Sequence, residues 1–170
     1  LDDVGNPIRS NSEKSYRLGL EVDATVALSS KWYWKPNVTV SANKNVDLTN
    51  NGIAKGNTAI AYSPNLIAGN LIVFQPVKAV TLTWLTKFVG EQYLNNLETP
   101  EARLPDYVVN DFNVSVTWTP KKVFQSITVN GLVNNVLNKQ YISNGYMYDI
   151  YPYYYPQAGR NFLVGLTLKF

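Results

Sequence analysis

Taken two residues at a time, the chain repeatedly separates into an apolar and a polar series. Between Ser15 and Leu28 the even positions are Tyr16, Leu18, Leu20, Val22, Ala24, Val26 and Leu28, while the odd positions include Arg17, Glu21, Asp23 and Thr25. Between Trp32 and Asn43 the even series is Trp32, Trp34, Pro36, Val38, Val40 and Ala42, against Tyr33, Lys35, Asn37, Thr39, Ser41 and Asn43. Successive side chains of a strand point to opposite sides of the pleat, so this alternation predicts strands with one oily and one wet face. It recurs over 107–118 (Val108, Phe112, Val114, Val116 and Trp118, broken by Asn110), over 126–134 (Ile127, Val129, Gly131 and Val133) and over 161–170. In the last segment Phe162, Val164, Leu166, Leu168 and Phe170 share one face. Segment 80–92 groups Val80, Leu82, Trp84 and Phe88, but Leu85 and Val89 interrupt its other face. Segment 62–75 alternates too poorly for its faces to be assigned. The pattern calls for seven strands and no helix.

The connections add direction. Short turns fall near Ser29–Lys31, Pro76–Ala79 and Pro120–Val123, and long polar loops at 44–61, 92–106 and 138–159. Short and long links alternate, so an antiparallel meander collects the tight turns at one end and the long loops at the other. Trp32, Trp34, Phe74, Trp118 and Phe170 then mark the tight-turn end, and Tyr16, Tyr62, Phe88, Tyr107 and Phe162 the long-loop end. The aliphatic stretch between these rows, about nine to eleven residues, is what a tilted strand needs to cross a bilayer. A soluble sandwich or lipocalin-like barrel alternates in the same way, with its apolar face turned inward. The balance is tipped by Arg17, Glu21, Asp23, Lys35, Lys87 and Asp111 on the polar face, by strand length, and by aromatics at both strand ends. The fold class expected is all-β, an antiparallel up-and-down meander of long strands with a lipid-facing side.

Composition narrows the chemistry. Hydrophobic residues make up 45% of the chain and charged residues only 16%, with twelve Tyr and four Trp, so the surface is not expected to be wholly aqueous. The absence of Cys excludes disulfides and thiolate metal sites, and the absence of His removes Ser-His-Asp and Cys-His catalysis and imidazole ligation. No catalytic residue, metal site or cofactor is predicted. The net charge of +3 is spread without a basic cluster, which argues against nucleic acid as a partner. No apolar run reaches the roughly 18 to 20 residues of a transmembrane helix. The chain begins at Leu1 rather than Met, as expected of a fragment or a processed product.

Two phrases near the C-terminus are more specific. "VNNVLNKQY" (Val133 to Tyr141) and "YPQAGRNFLVGLTLKF" (Tyr155 to Phe170) resemble the closing strands of TonB-dependent outer-membrane receptors. Asn135, Leu137, Asn138 and Tyr141 take the positions of that family's phrase before the last long loop, with Val136 and Leu137 where Leu-Phe is common. Pro156, Arg160, Phe162 and Gly165 take those of the phrase leading into the final strand. "SPNLIAGN" and "FVGEQYLNN" are similar to Bacteroidetes-type members, so the resemblance spans essentially the whole chain.

The resemblance implies that residues 1–170 are one segment, about the last third of a 22-stranded barrel whose plug and earlier strands lie elsewhere. It implies a Gram-negative outer-membrane location and a receptor for active uptake of a siderophore, a cobalamin-like cofactor or an oligosaccharide, this segment supplying barrel wall and extracellular loops. Contact with TonB would run through the receptor's N-terminal region, and the remaining partners would be outer-membrane lipid and the nutrient. Gly165, Leu168 and Phe170 match a C-terminal signal read by the outer-membrane assembly machinery, while Leu163 stands where that signal has a polar residue. Capture of an amphipathic edge strand by strand addition gives such a signal its physical basis. Tyr146, Tyr148, Tyr151, Tyr153 and Tyr154 in the last long loop are candidate ligand contacts, because Tyr offers rigid amphipathic area at low entropic cost. The alternative is that these rings form the outer girdle or pack the loop over the barrel mouth. A small independent barrel of the adhesin or porin type and a soluble β-barrel binding module are the rival functions.

Overall fold

The computed structural model describes residues 14–120 and 123–170. In chain order its elements are β1 (Lys14–Asp23), β2 (Val26–Ala27), β3 (Trp32–Asn50), β4 (Ile53–Ala59), β5 (Leu66–Val77), β6 (Val80–Val89) and β7 (Gln92–Tyr93). A single 3-10 turn (Pro100–Ala102) precedes β8 (Arg103–Leu104), β9 (Tyr107–Trp118), β10 (Ser126–Asn134), β11 (Ile142–Tyr148), β12 (Tyr151–Pro156) and β13 (Asn161–Lys169). That 3-10 turn is the one departure from an all-strand reading among the described residues. The turn expected near Pro120–Val123 contains Lys121 and Lys122, which lie outside the described residues.

Seven strands form one antiparallel wall in the order β1-β3-β5-β6-β9-β10-β13, the meander expected from the alternation. β2 keeps the register of β1 against β3, since Asp23 faces Asn37 and Val26 faces Trp34. The break between them falls opposite Pro36. The Ala24 N–H donates to the Pro36 carbonyl at 3.0 Å, but proline has no N–H to return, so the ladder lapses there.

Register assigns the two faces. Trp34, Ile72, Trp84, Phe112, Val133 and Phe162 form one continuous cross-strand row. That row starts at the tight-turn end of β3 and finishes at the long-loop end of β13. A line perpendicular to the strands that climbs from one end to the other is the stagger of tilted barrel strands. Val22, Val38, Ala68, Phe88 and Val108 form a second row on the same oily face. The opposite face carries Glu21, Lys35, Lys87, Asp111, Asn113 and Thr128.

Register also resolves segment 62–75. β5 puts Leu66, Ala68, Ile72 and Phe74 on the oily face and Ile67, Leu71 and Val73 on the other, which is why no alternation is visible. Its oily face is broken by Asn70, which faces Thr86, which in turn faces Asn110. Trp34 Nε1 donates to Asn70 Oδ1 at 2.6 Å, Trp84 Nε1 to Thr86 Oγ1 at 3.2 Å, and the Thr86 hydroxyl to Asn110 Oδ1 at 2.7 Å. The polar groups on this face are held by one another, which offsets the cost of placing them on an apolar surface.

Several sequence expectations are corrected. The long loop at 44–61 is mostly strand: β3 runs on to Asn50, turns through Asn51 and Gly52, and returns as β4. Both turn residues have positive φ, 50° and 77°, as an Asn-Gly hairpin requires. The loops at 92–106 and 138–159 contain the β7–β8 and β11–β12 pairings. Tyr107 does not belong to a lipid-facing row, because its odd position turns it to the wet face, and Tyr62 lies outside the wall strands.

Among the described residues the packed interior is small and sits at the long-loop end. One cluster joins Val89, Tyr107 and Val109 beneath Tyr141, and another joins Leu94, Ala102 and Leu104 with Ile142 and Met147. The interruption by Val89 of the polar face of β6 is explained by the first cluster. The oily face of the wall, by contrast, is uncovered: Leu18 is 72% exposed, Leu166 64% and Val164 83%. Val22, Val40 and Leu166 are exposed on that face, and among the described residues no second sheet packs against it as a sandwich would require.

Candidate functional site

The last long loop is positioned by a polar latch. β10 ends at Asn134, and Asn135 takes a φ of 50°, a left-handed conformation that Asn tolerates better than most residues. Its backbone N–H donates to the Asp111 carboxylate at 2.7 Å. Its side-chain amide donates to the carbonyls of Lys139 and Ala158 at 2.9 and 3.2 Å, while its Oδ1 accepts the Lys139 N–H at 2.8 Å. Asn138, with φ 52°, accepts the Arg160 N–H at 2.9 Å. The two ends of the loop are thereby tied together. Tyr141 lays its ring against Tyr107 at 4.5 Å between centroids, and burial, followed by the nearby Asp111 charge, holds its phenol pKa above the usual value.

The loop then folds back as the β11–β12 hairpin onto the neighbouring loop. Ile142 and Met147 pack on the Leu94–Ala102–Leu104 cluster. Gln92 Nε2 donates to the Ser143 carbonyl at 3.3 Å, the Tyr62 hydroxyl to the Gly145 carbonyl at 3.1 Å, and the Tyr154 hydroxyl to the Glu101 carbonyl at 3.3 Å. Position 145 must be glycine, since a Cβ there would run into the Tyr153 carbonyl.

Between hairpin and neighbouring loops lies a groove of about 590 Å³ lined by Tyr62, Gln92, Ser143, Asn144, Tyr146 and Tyr155 along the Gly145 backbone. Tyr146 stacks on Tyr153 at 5.1 Å with an 11° interplanar angle, and Tyr155 approaches it at 6.0 Å and 36°. Burial, then the adjacent Tyr155, raises the Tyr62 pKa, so the ring is a neutral phenol at physiological pH. Among the described residues, no charged side chain lines the groove. Two ion pairs lie in the surrounding loops: Glu91 with Arg103, and Glu98 with Lys44 at 3.2 Å.

Of the tyrosines expected to meet a ligand, Tyr146 lines the groove and Tyr153 backs it. Tyr148 and Tyr151 face each other across the hairpin near its tip, and Tyr154 fastens the hairpin to Glu101. Tyr62, which the sequence places only in the long-loop aromatic row, and Gln92 are not among the candidate ligand contacts. Tyr155 belongs to the same tyrosine run, whereas Tyr62 and Gln92 come from other loops and carry no local signal. Asn135 and Tyr141 act in the latch. Pro156 closes β12 opposite Ile142, and Arg160 supplies its backbone N–H to Asn138. In β13, Gly165 faces Asn130 and Leu168 faces Ile127, and Phe170 packs on Phe124 at 5.0 Å.

No protein-family model matches the sequence, and no curated protein does either. Solved structures do match. The siderophore receptor PiuA of Acinetobacter baumannii superposes with a TM-score of 0.71 at 15% identity, over 89% of this chain and 21% of that one. The ferric yersiniabactin uptake receptor FyuA of Yersinia pestis gives 0.65 at 17% identity, over 87% and 22%. The ferric enterobactin receptor PfeA of Pseudomonas aeruginosa gives 0.63 at 18% identity, over 94% and 23%. At such identities the likeness is one of fold. The chain spans about a fifth of these receptors' length and has the fold of part of such a protein.

Proposed function

We propose that this chain is the C-terminal wall and outer-loop segment of a TonB-dependent receptor in the Gram-negative outer membrane. In this reading residues 1–170 belong to a larger barrel with a plug, and the protein imports a nutrient rather than catalysing a reaction. The observation that carries it is the long tilted meander whose oily face has no protein core to cover it, while the packed residues gather among the loops at one end. A bilayer is the environment in which such a face is stable. The fold likeness to siderophore and ferric-chelate receptors supports the same reading, and the two C-terminal phrases add the TonB-dependent class. The phrases "SPNLIAGN" and "FVGEQYLNN" support a Bacteroidetes-type member.

In this reading the β11–β12 hairpin faces outward and the tight turns face the periplasm. Gly165, Leu168 and Phe170 present the closing strand to the assembly machinery, so Phe170→Ala should slow barrel assembly. The test is the full-length protein expressed with its signal sequence. It should fractionate with outer membranes, migrate faster on gels when unheated, and take up its nutrient only when TonB is present. Recovery as a monodisperse soluble protein without detergent would sink the reading, and TonB-independent uptake would reduce it to a porin-like barrel.

A further inference from the structure

We propose, resting on the receptor reading above, that the groove formed by Tyr62, Gln92, Ser143, Asn144, Tyr146 and Tyr155 is a subsite for an uncharged oligosaccharide and discriminates against anionic metal chelates. Three properties of the groove point the same way.

The first is charge. A polyanion seated against Tyr62, Gln92, Asn144 and Tyr146 would lose hydration and meet no cationic side chain among the described residues that line the groove, and the nearby Arg103 and Lys44 already hold Glu91 and Glu98. The second is shape. Tyr146, Tyr155 and Tyr62 are 43%, 52% and 48% exposed, and they offer flat ring faces to the C–H faces of sugar rings. Tyr146 is already stacked on Tyr153, so little ordering is left for binding to pay.

The third is the pattern of free polar groups. Gln92 uses its NH₂ on the Ser143 carbonyl, which leaves its side-chain oxygen to accept. Asn144 uses its Oδ1 on the Gly145 N–H, which leaves its NH₂ to donate. Tyr62 donates its proton to Gly145, which leaves oxygen lone pairs to accept. Donors and acceptors side by side suit hydroxyl groups, which are both at once. The volume, about 590 Å³, lies in the usual range for small-ligand sites.

The test measures binding to the full-length receptor in detergent micelles, using neutral glucose hexasaccharides of α and β linkage, a neutral ferric trihydroxamate and an anionic ferric tris-catecholate. Saturable binding of a hexasaccharide is expected, weakened about tenfold or more by Tyr146→Ala and by Tyr155→Ala. Tyr146→Phe should restore it, and Ile150→Ala in the hairpin turn should leave it unchanged. Because Tyr146→Ala also loosens the stack on Tyr153, hydrogen exchange over Ile142–Pro156 is measured in parallel. Restoration by Phe with unchanged exchange then separates contact from folding. Binding of the catecholate or the trihydroxamate, weakened by the same substitutions, would overturn the saccharide assignment and leave the receptor reading intact. Binding of no probe would overturn the inference alone, since membrane fractionation and TonB-dependent uptake test the receptor reading separately.

Discussion

The wall and the loop assembly above it obey opposite rules. In the wall, Leu20, Val40 and Leu166 are 69%, 56% and 64% exposed on the oily face. In the loop assembly, Leu104 and Ala102 have no exposed surface at all, and hydrophobic residues from three separate segments converge on them. The wall is held by its hydrogen-bond ladder and, on the receptor reading proposed above, by the lipid around it. The loop assembly is stabilised as a soluble domain is, by excluding water from a small core. One chain thus contains two solvents' worth of design, and the boundary lies near Val89 and Tyr107, where the first buried cluster begins.

Leu104→Ala should have the largest effect, costing about 2–5 kcal/mol of loop stability. Hydrogen exchange should quicken across Gln92–Leu104 and Ile142–Pro156 while β9 and β10 stay protected; loss of protection in the wall as well would erase the distinction between the regions. Next is Leu166→Arg, midway between Phe162 and Phe170 on the oily face, expected to cost about 2–4 kcal/mol in an unfolding titration from lipid vesicles. The same arginine at Thr167, one residue on and on the wet face, should cost far less. Equal costs would mean that the two faces do not meet different media.

Asn135→Ala comes third, at about 1–3 kcal/mol, because the Lys139 and Ala158 carbonyls lose their donor. Protease cleavage within 138–159 should rise with no change in membrane insertion. Alkaline pH sharpens the contrast next. Tyr62 has a raised pKa when docked, so the docked form keeps its proton above the ordinary value of 10.0 while the undocked form loses it. Docking is therefore fully stable below that value and weakens as pH rises through the docked pKa. Tyrosinate absorbance should report the release, and Tyr62→Phe should reduce it. Smallest of all, Ile150→Ala in the exposed hairpin turn should stay within about 0.5 kcal/mol in either region.

How much of this was legible depends on whether a residue's role is set by its neighbours in sequence. The faces of β1, β3, β10 and β13 follow directly from period 2. Those of β5 do not, because Leu71 and Val73 are apolar on the wet face while Asn70 is polar on the oily one. Cross-strand partners Trp34 and Thr86 are what make Asn70 intelligible. The Asn51–Gly52 turn carried a recognisable hairpin signal, yet the polar residues flanking it resemble a loop because no core lies against them. Tyr107 was placed in the wrong row by its distance along the chain rather than by its parity, and parity is what decides the face.

The sequence by itself determined the seven wall strands, their antiparallel order and the existence of an oily side, because alternation and turn spacing are local properties of a pleated backbone. It also located the tyrosine run and the asparagine-rich phrase ahead of it. Only the tertiary structure decided that Tyr62, Gln92, Asn144 and Tyr146 share one groove, that Asn135 ties the loop ends together, and that Val89 is covered by Tyr141. Those residues come from connections tens of positions apart, and what joins them is the docking of one hairpin on another, an arrangement set by packing that no single stretch of sequence encodes.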